Sequence, residues 1–238
     1  MKRLRLDQAL VERRMVSTRS QAENYIKLGY VQVNSQVAAK AGMPVSDTDQ
    51  IKVTIKQQYV SRAALKLASV AEKFELNFKD KIILDVGSST GGFTDYALRH
   101  GAKKVIAVDV GANQLHPSLR DNPKVELHEQ TDIRNFEPHQ SPDIVLVDVS
   151  FISLREVLPY IADLCDKNSQ IVALLKPQFE ASKEAMNKGV IKNDKLRRQT
   201  LKDFEQWSKK LLVVKNKADS SVAGAHGNLE RFYLLSKQ

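Results

Sequence analysis

The sequence predicts a doubly wound α/β domain preceded by a small, basic α+β module. Three observations carry this reading. Four short runs, at 81–86, 105–109, 144–148 and 171–175, are almost wholly apolar, as strands of a parallel sheet covered by helices on both faces must be. Segments of helical pattern, 94–100 and 154–165 among them, fall between those runs, which is the alternation of an α/β fold. The charge is uneven. Residues 1–57 carry ten basic and five acidic side chains, and the other 181 carry 27 and 23. More than half of the net charge of +9 thus sits in the first quarter of the chain, as expected of a basic module attached to something else.

At 238 residues and 42% hydrophobic content, the chain can bury a core without disulfides or structural metal. The single cysteine, Cys165, excludes a disulfide framework and a cysteine-rich zinc site. No stretch approaches the roughly 18 apolar residues of a membrane-spanning helix. Residues 1–7 are basic, but no apolar run follows them, so a secretory leader is not expected. The expectation is a cytoplasmic protein with a polyanionic partner.

The elements follow in order. Leu6, Ala9, Leu10 and Met15 form an apolar stripe at helical spacing. Thr18 and Gln21 have capping-box spacing before a second helix containing Ala22, Tyr25 and Ile26. Gly29 stands where a C-cap is expected. Residues 30–34 alternate as a strand and run into an Asn-Ser turn, while Pro44 and residues 47–49 make a turn before a strand at 51–53. A break near Gln57-Gln58 sets the boundaries: a first domain over 1–57, a linker over 58–60 and a second domain over 61–238. Ser61 is the expected N-cap of the helix that follows.

The loop after the first long strand reads Asp85-Val86-Gly87-Ser88-Ser89-Thr90-Gly91-Gly92-Phe93. Small residues there admit a ligand close to the backbone, and a helix N-terminus behind them favours negative groups. Ser89 stands where a dinucleotide fingerprint needs glycine, and no Gly-Lys-Ser/Thr follows for a phosphate loop. Asp109 ends the next strand about 22 residues beyond Gly87, the distance at which an acid grips ribose hydroxyls. Asp132, in Thr131-Asp132-Ile133, follows a further strand, and Asp148 ends another. Any one of these acids alone could be a cap or loop residue. Together they point into one crevice.

These motifs resemble class I S-adenosylmethionine-dependent methyltransferases of Rossmann-like fold, and more narrowly the FtsJ/RrmJ-type ribose 2′-O-methyltransferases. The lysine, aspartate, lysine and glutamate of that family match Lys66 in Ser-Arg-Ala-Ala-Leu-Lys-Leu, Asp148 in Leu-Val-Asp-Val-Ser-Phe, Lys176 in Leu-Leu-Lys-Pro-Gln-Phe-Glu, and Glu230 in Asn-Leu-Glu-Arg-Phe-Tyr. The first segment, with Arg-Leu-Asp-x-x-Leu-Val and Ser-Arg-Ser-x-Ala, resembles an S4 RNA-binding domain. The combination is similar to the TlyA family, whose members are often named hemolysin A. One departure is Ser89-Thr90, where many FtsJ-type enzymes carry Ala-Pro.

The resemblance implies a mixed, mostly parallel sheet and S-adenosylmethionine as cofactor. It places that cofactor on Asp85, Gly87, Ser88, Ser89, Thr90, Gly91, Gly92, Phe93, Asp109, Val110, Asp132 and Ile133. It implies 2′-O-methylation of cytidine in ribosomal RNA or ribosomal subunits, with Lys176 as base and Lys66, Asp148 and Glu230 orienting it and stabilising a developing alkoxide. Two neighbouring lysines would weaken each other's hold on a proton. No metal is needed for such a transfer, and the five histidines lack metal-ligand spacing. Arg3, Arg5, Arg13, Arg14, Arg19 and Lys27 are the candidate phosphate contacts of the first module. A second basic stretch runs through Lys183, Lys188, Lys192, Lys195, Arg197, Arg198 and Lys202. Trp207 fits a core position better than a stacking platform. The competing readings are an RNA-binding regulator with an inactive methyltransferase fold, a cytolysin, and a nicotinamide oxidoreductase. The last is disfavoured by Ser89.

Overall fold

The computed structural model describes residues 3–16, 18–27, 29–54, 59–181, 193–224 and 227–238. The chain divides into two compact units, Met1–Gln58 and Tyr59–Gln238.

The first unit runs β1 (Leu4–Arg5), α1 (Leu6–Glu12), α2 (Arg19–Lys27), β2 (Val31–Val33), β3 (Gln36–Val37), β4 (Pro44–Val45) and β5 (Ile51–Val53). β1 pairs with β4, and β3-β2-β5 form a small antiparallel sheet. α1 packs on α2, and Leu6, Ala9 and Leu10 of α1, Ala22, Tyr25 and Ile26 of α2, and Val31 and Val33 of β2 are all buried. Met15 lies beyond α1 and only half-buried, because the helix ends at Glu12 and Val16 takes the interior position. The Thr18 hydroxyl accepts the Gln21 N–H at 3.2 Å. Gly29 has φ +74°, the left-handed conformation that ends a helix without a Cβ clash. Asn34 and Ser35 both have positive φ, 49° and 67°, which suits the twist of the β2-β3 hairpin.

The second unit opens with α3 (Ala63–Ala71). There follow β6 (Ile82–Val86), α4 (Gly92–Arg99), β7 (Lys104–Val108), α5 (Pro117–Arg120), β8 (Val125–His128), a 3-10 turn at Ile133–Asn135, β9 (Ile144–Val147) and α6 (Leu154–Leu164). It closes with β10 (Gln170–Leu175), α7 (Pro177–Glu180), α8 (Asp194–Ser208), β11 (Leu212–Asp219) and β12 (Arg231–Lys237). α3 starts later than expected. Arg62, not Ser61, is its N-cap, and the Ser61 hydroxyl accepts from the Ala63 N–H at 3.3 Å.

One seven-stranded sheet, ordered β11-β12-β10-β9-β6-β7-β8, organises this unit. β12 runs antiparallel to both neighbours and the other pairings are parallel. α6 and α8 cover one face through Val157, Leu158, Ile161, Leu201 and Phe204. α3 and α4 cover the other through Leu67, Val70, Phe93 and Ala97. The chain moves outward from β6 to β7 and β8, then returns to β9 on the other side. The strand order therefore reverses between β6 and β9, and the carboxyl ends of those strands open a crevice.

Candidate active site at the carboxyl edge of the sheet

Gly87 follows β6 directly. Its φ is +80°, and a Cβ there would lie 2.8 Å from the Asp148 carbonyl oxygen; only glycine lets the two strand ends meet. Asp109, just past β7, accepts the Ser89 N–H on Oδ2 at 2.8 Å and the Gly111 N–H on Oδ1 at 2.7 Å. That carboxylate pins the glycine loop to the next strand. A cavity of about 350 Å³ opens beside it, walled by Gly87, Ser89, Asp109, Val110, Asp132, Ile133 and Asp148. Gln114, Thr131, Ser150 and Phe151 also line it. None of these four is an expected site residue. Ser150 and Phe151 carried a signal, because they follow Asp148 at the end of β9.

Two residues before Gly87 lies Asp85, 1% exposed. Its Oδ2 accepts the Thr94 hydroxyl at 2.6 Å, while its Oδ1 has no partner. Burial pushes this carboxyl up to about 7. The Ser88 hydroxyl is likewise buried without a partner. Orphaned buried polar atoms cost free energy, and a pair of them on either side of Gly87, which lines the cavity, fits a ligand that completes their bonding. Asp132 caps the 3-10 turn and pairs with Arg134 at 2.6 Å. The Arg134 hydrogen bonds hold its carboxyl below the usual range.

Six of the expected cofactor residues are set back from the cavity wall, the buried Asp85 and Ser88 and four more. Thr90 is exposed and bonds through its carbonyl to the His116 N–H at 3.2 Å. Gly91 and Gly92 make room for other chains: a Cβ would strike Leu115 and Leu119 at Gly91, and Ser61 and Ala63 at Gly92. The Phe93 ring is buried in the α3-α4 core, 6.2 Å from Phe232 between centroids.

Two ion pairs stand at the same edge. Lys176 follows β10, and its Nζ lies 2.7 Å from Asp148 Oδ1 and donates to Ser150 Oγ at 2.7 Å. Lys66, in the first turns of α3, lies with Nζ 2.7 Å from Glu230 Oε2. Glu230 is 2% exposed, and a Cβ at Gly224 would overlap its carboxylate. The last registered pair of β10 and β12 is Leu175 with Arg231. Lys176 and Glu230 therefore stand side by side one step past the ladder. The structure thus gives each lysine its own carboxylate and brings all four residues to one sheet edge.

In the first unit, buried Asp7 binds two of the expected RNA contacts. Arg5 Nε is 3.0 Å from its Oδ1 and Arg19 is 2.8 Å from its Oδ2. These arginines, Arg5 first, bring the Asp7 carboxyl down to about 2. Arg13 donates to the Ser46 and Asp49 carbonyls at 2.8 Å each. Arg3, Arg14 and Lys27 are exposed. In the second basic stretch, Lys195, Arg198 and Lys202 are exposed on α8, and Arg197 pairs with Asp219 at 2.7 Å. Lys183, Lys188, Lys192 and His226 lie outside the described residues. Trp207 packs beside Phe204, with centroids 5.9 Å apart. Among the described residues no cluster of three or more His, Cys, Asp or Glu could hold a metal, and no helix is long and apolar enough to cross a membrane.

Comparison with known proteins gives two matching family models: the S4 domain over residues 4–51 and the FtsJ-like methyltransferase over residues 59–237. The 23S rRNA (cytidine-2′-O)-methyltransferase TlyA of Campylobacter jejuni is 46% identical over 194 residues, covering 80% of this chain and 76% of its own. The 16S/23S rRNA (cytidine-2′-O)-methyltransferase TlyA of Mycobacterium tuberculosis is 37% identical over 245 residues, covering 100% of this chain and 91% of its own. A solved structure described as a hemolysin, from Streptococcus thermophilus, superposes with a TM-score of 0.74 at 36% identity, covering 100% of this chain and 90% of that one. The class I topology, the paired lysines and carboxylates and these relatives agree: the chain belongs to the TlyA (hemolysin A) family, an S4 domain followed by an FtsJ-like methyltransferase domain.

Proposed function

We propose that this protein transfers a methyl group from S-adenosylmethionine to the 2′-oxygen of a cytidine in ribosomal RNA, in the cytoplasm. The observation that carries the reading is the joint placement of Lys176–Asp148 and Lys66–Glu230 at the sheet edge, next to a cavity with orphaned polar atoms. In this reading residues 61–238 are the catalytic domain, 58–60 the linker, and 1–57 the module that grips RNA phosphates.

Gly87 and Ser89 admit the donor close to the backbone. Asp109 would hold its ribose, and Val110, Asp132 and Ile133 also line the cavity. Asp85 Oδ1 and Ser88 Oγ, buried without partners on either side of Gly87, would take its polar end. When bound, the sulfonium supplies a methyl group already activated for attack and departs as a neutral thioether. The protein's own work is to align the ribose hydroxyl and remove its proton. The proton passes from the 2′-oxygen to Lys176 Nζ as that oxygen's electron pair forms the new C–O bond. Asp148 holds Lys176 and stabilises the ammonium that results. Lys66, held by buried Glu230, supplies a positive charge toward the developing alkoxide.

The test uses ribosomal subunits from cells lacking this protein. With tritiated S-adenosylmethionine, label is expected on one cytidine ribose, and Lys176→Ala is expected to lower the rate by at least about 100-fold while donor still binds. Label on a base, or a Lys176→Ala variant at the normal rate, would overturn the reading.

A further inference from the structure

Lys176 makes one contact that the four-residue set does not include: its Nζ donates to Ser150 Oγ at 2.7 Å, alongside the 2.7 Å approach to Asp148 Oδ1. A neutral lysine amine has two N–H bonds and one lone pair. The structure hydrogen-bonds Nζ to the Ser150 hydroxyl and sets the Asp148 carboxylate at ion-pair distance, so once the amine is neutral and turns its two N–H bonds to these two oxygens, the lone pair is left a single tetrahedral direction. We infer that Ser150 is a positioning residue that aims the Lys176 lone pair at the ribose hydroxyl. With Asp148 alone, the amine would rotate about its Cε–Nζ bond and present the lone pair in that direction only part of the time.

Ser150 can act this way because its loop is clamped at a second point. The buried Glu180 carboxylate accepts the Ser153 hydroxyl on Oε2 and the Leu154 N–H on Oε1, both at 2.6 Å. Lys176 and Glu180 lie four residues apart across α7, and they bind the two ends of the segment from Asp148 to Leu154. Between them Phe151 is held at φ +65°, a conformation a bulky side chain adopts only when its surroundings impose it. The Ser150 hydroxyl is therefore fixed by its loop, while the side chain remains exposed and lines the cavity.

The inference rests on the proposed ribose methylation, and the experiment separates the two. Ser150→Ala, Ser150→Thr and Lys176→Ala are assayed on ribosomal subunits from cells lacking this protein, with donor affinity measured by calorimetry. Ser150→Ala is expected to lower kcat about tenfold, a fraction of what a general base contributes, with KM for the subunits and donor affinity unchanged within about twofold. Ser150→Thr, which keeps the acceptor oxygen, is expected to restore kcat to within about threefold of the parent. Unchanged kcat in Ser150→Ala, in an enzyme that Lys176→Ala silences, would overturn the role of Ser150 alone. So would a loss expressed in KM, or one that threonine fails to restore. Transfer that survives Lys176→Ala would overturn the methylation reading and this inference with it.

Discussion

Asp85 shows how much one residue's environment adds to its sequence position. Its place before a glycine loop was legible, because acids at the carboxyl ends of apolar strands share a crevice. Its buried, half-satisfied carboxyl was not, since that depends on Thr94 taking one oxygen and leaving the other bare. Desolvation raises this carboxyl to about 7 from an ordinary 3.8, with the nearby Asp148 and Asp109 charges adding to the effect. The sign follows. Without a ligand, the folded state holds the proton more tightly than the unfolded chain, so the stability linked to Asp85 falls as pH rises from about 4 to about 7. A donor whose cationic amino group met Oδ1 would favour the ionised form instead. Donor affinity is therefore expected to rise about tenfold between pH 6 and pH 8. Titration calorimetry of the parent and of Asp85→Asn checks this: the variant should bind weakly at both pH values, and an equally steep rise in it would place the titration elsewhere.

Among elements, the central strands were legible and the outer ones were not. β6, β7, β9 and β10 are covered on both faces, so their sequences are continuous apolar runs. β11 alternates half-buried with exposed positions after a buried Leu212 and carries Lys215 and Lys217, so it lacks that mark. β8 is half-buried throughout. β12 is apolar enough but antiparallel, a direction that apolar content does not encode. The Lys-Pro-Gln-Phe-Glu segment was readable as a motif, but its function as a clamp on the loop after β9 is tertiary. Glu180→Ala removes acceptors from the Ser153 hydroxyl and the Leu154 N–H at the start of α6. Leaving such donors unsatisfied is expected to cost about 2 kcal/mol. The urea midpoint should fall accordingly with an unchanged slope. Because the same clamp holds Ser150 against Lys176, kcat should fall as well. A variant with the parent's midpoint would show that water replaces Glu180 at no cost.

At the scale of the whole molecule, the net charge of +9 pointed to a polyanion but not to the side chains that would meet it. The first unit divides its basic residues between two tasks. Arg5 and Arg19 neutralise buried Asp7, and Arg13 ties the turn at Ser46 and Asp49 to α1. Such pairings join residues up to 36 positions apart, so local charge counting cannot see them. Of the proposed phosphate contacts, Arg3, Arg14 and Lys27 are exposed, and in that proposal they are the ones that displace counterions. Each phosphate contact contributes about 0.7 to 0.9 to the slope of log affinity against log salt. The triple change Arg3→Ala, Arg14→Ala, Lys27→Ala is therefore expected to weaken RNA binding and to reduce that slope by about 2, with little effect on thermal stability. Arg13→Ala should do the reverse, lowering the melting temperature of the module while leaving the slope nearly intact. Filter binding of ribosomal RNA fragments between 50 and 200 mM salt (about the range over which such contacts are lost), alongside thermal melts, distinguishes the two. If Arg13→Ala reduced the slope as much as the triple variant, its carbonyl bonds would be secondary to a direct role at the RNA.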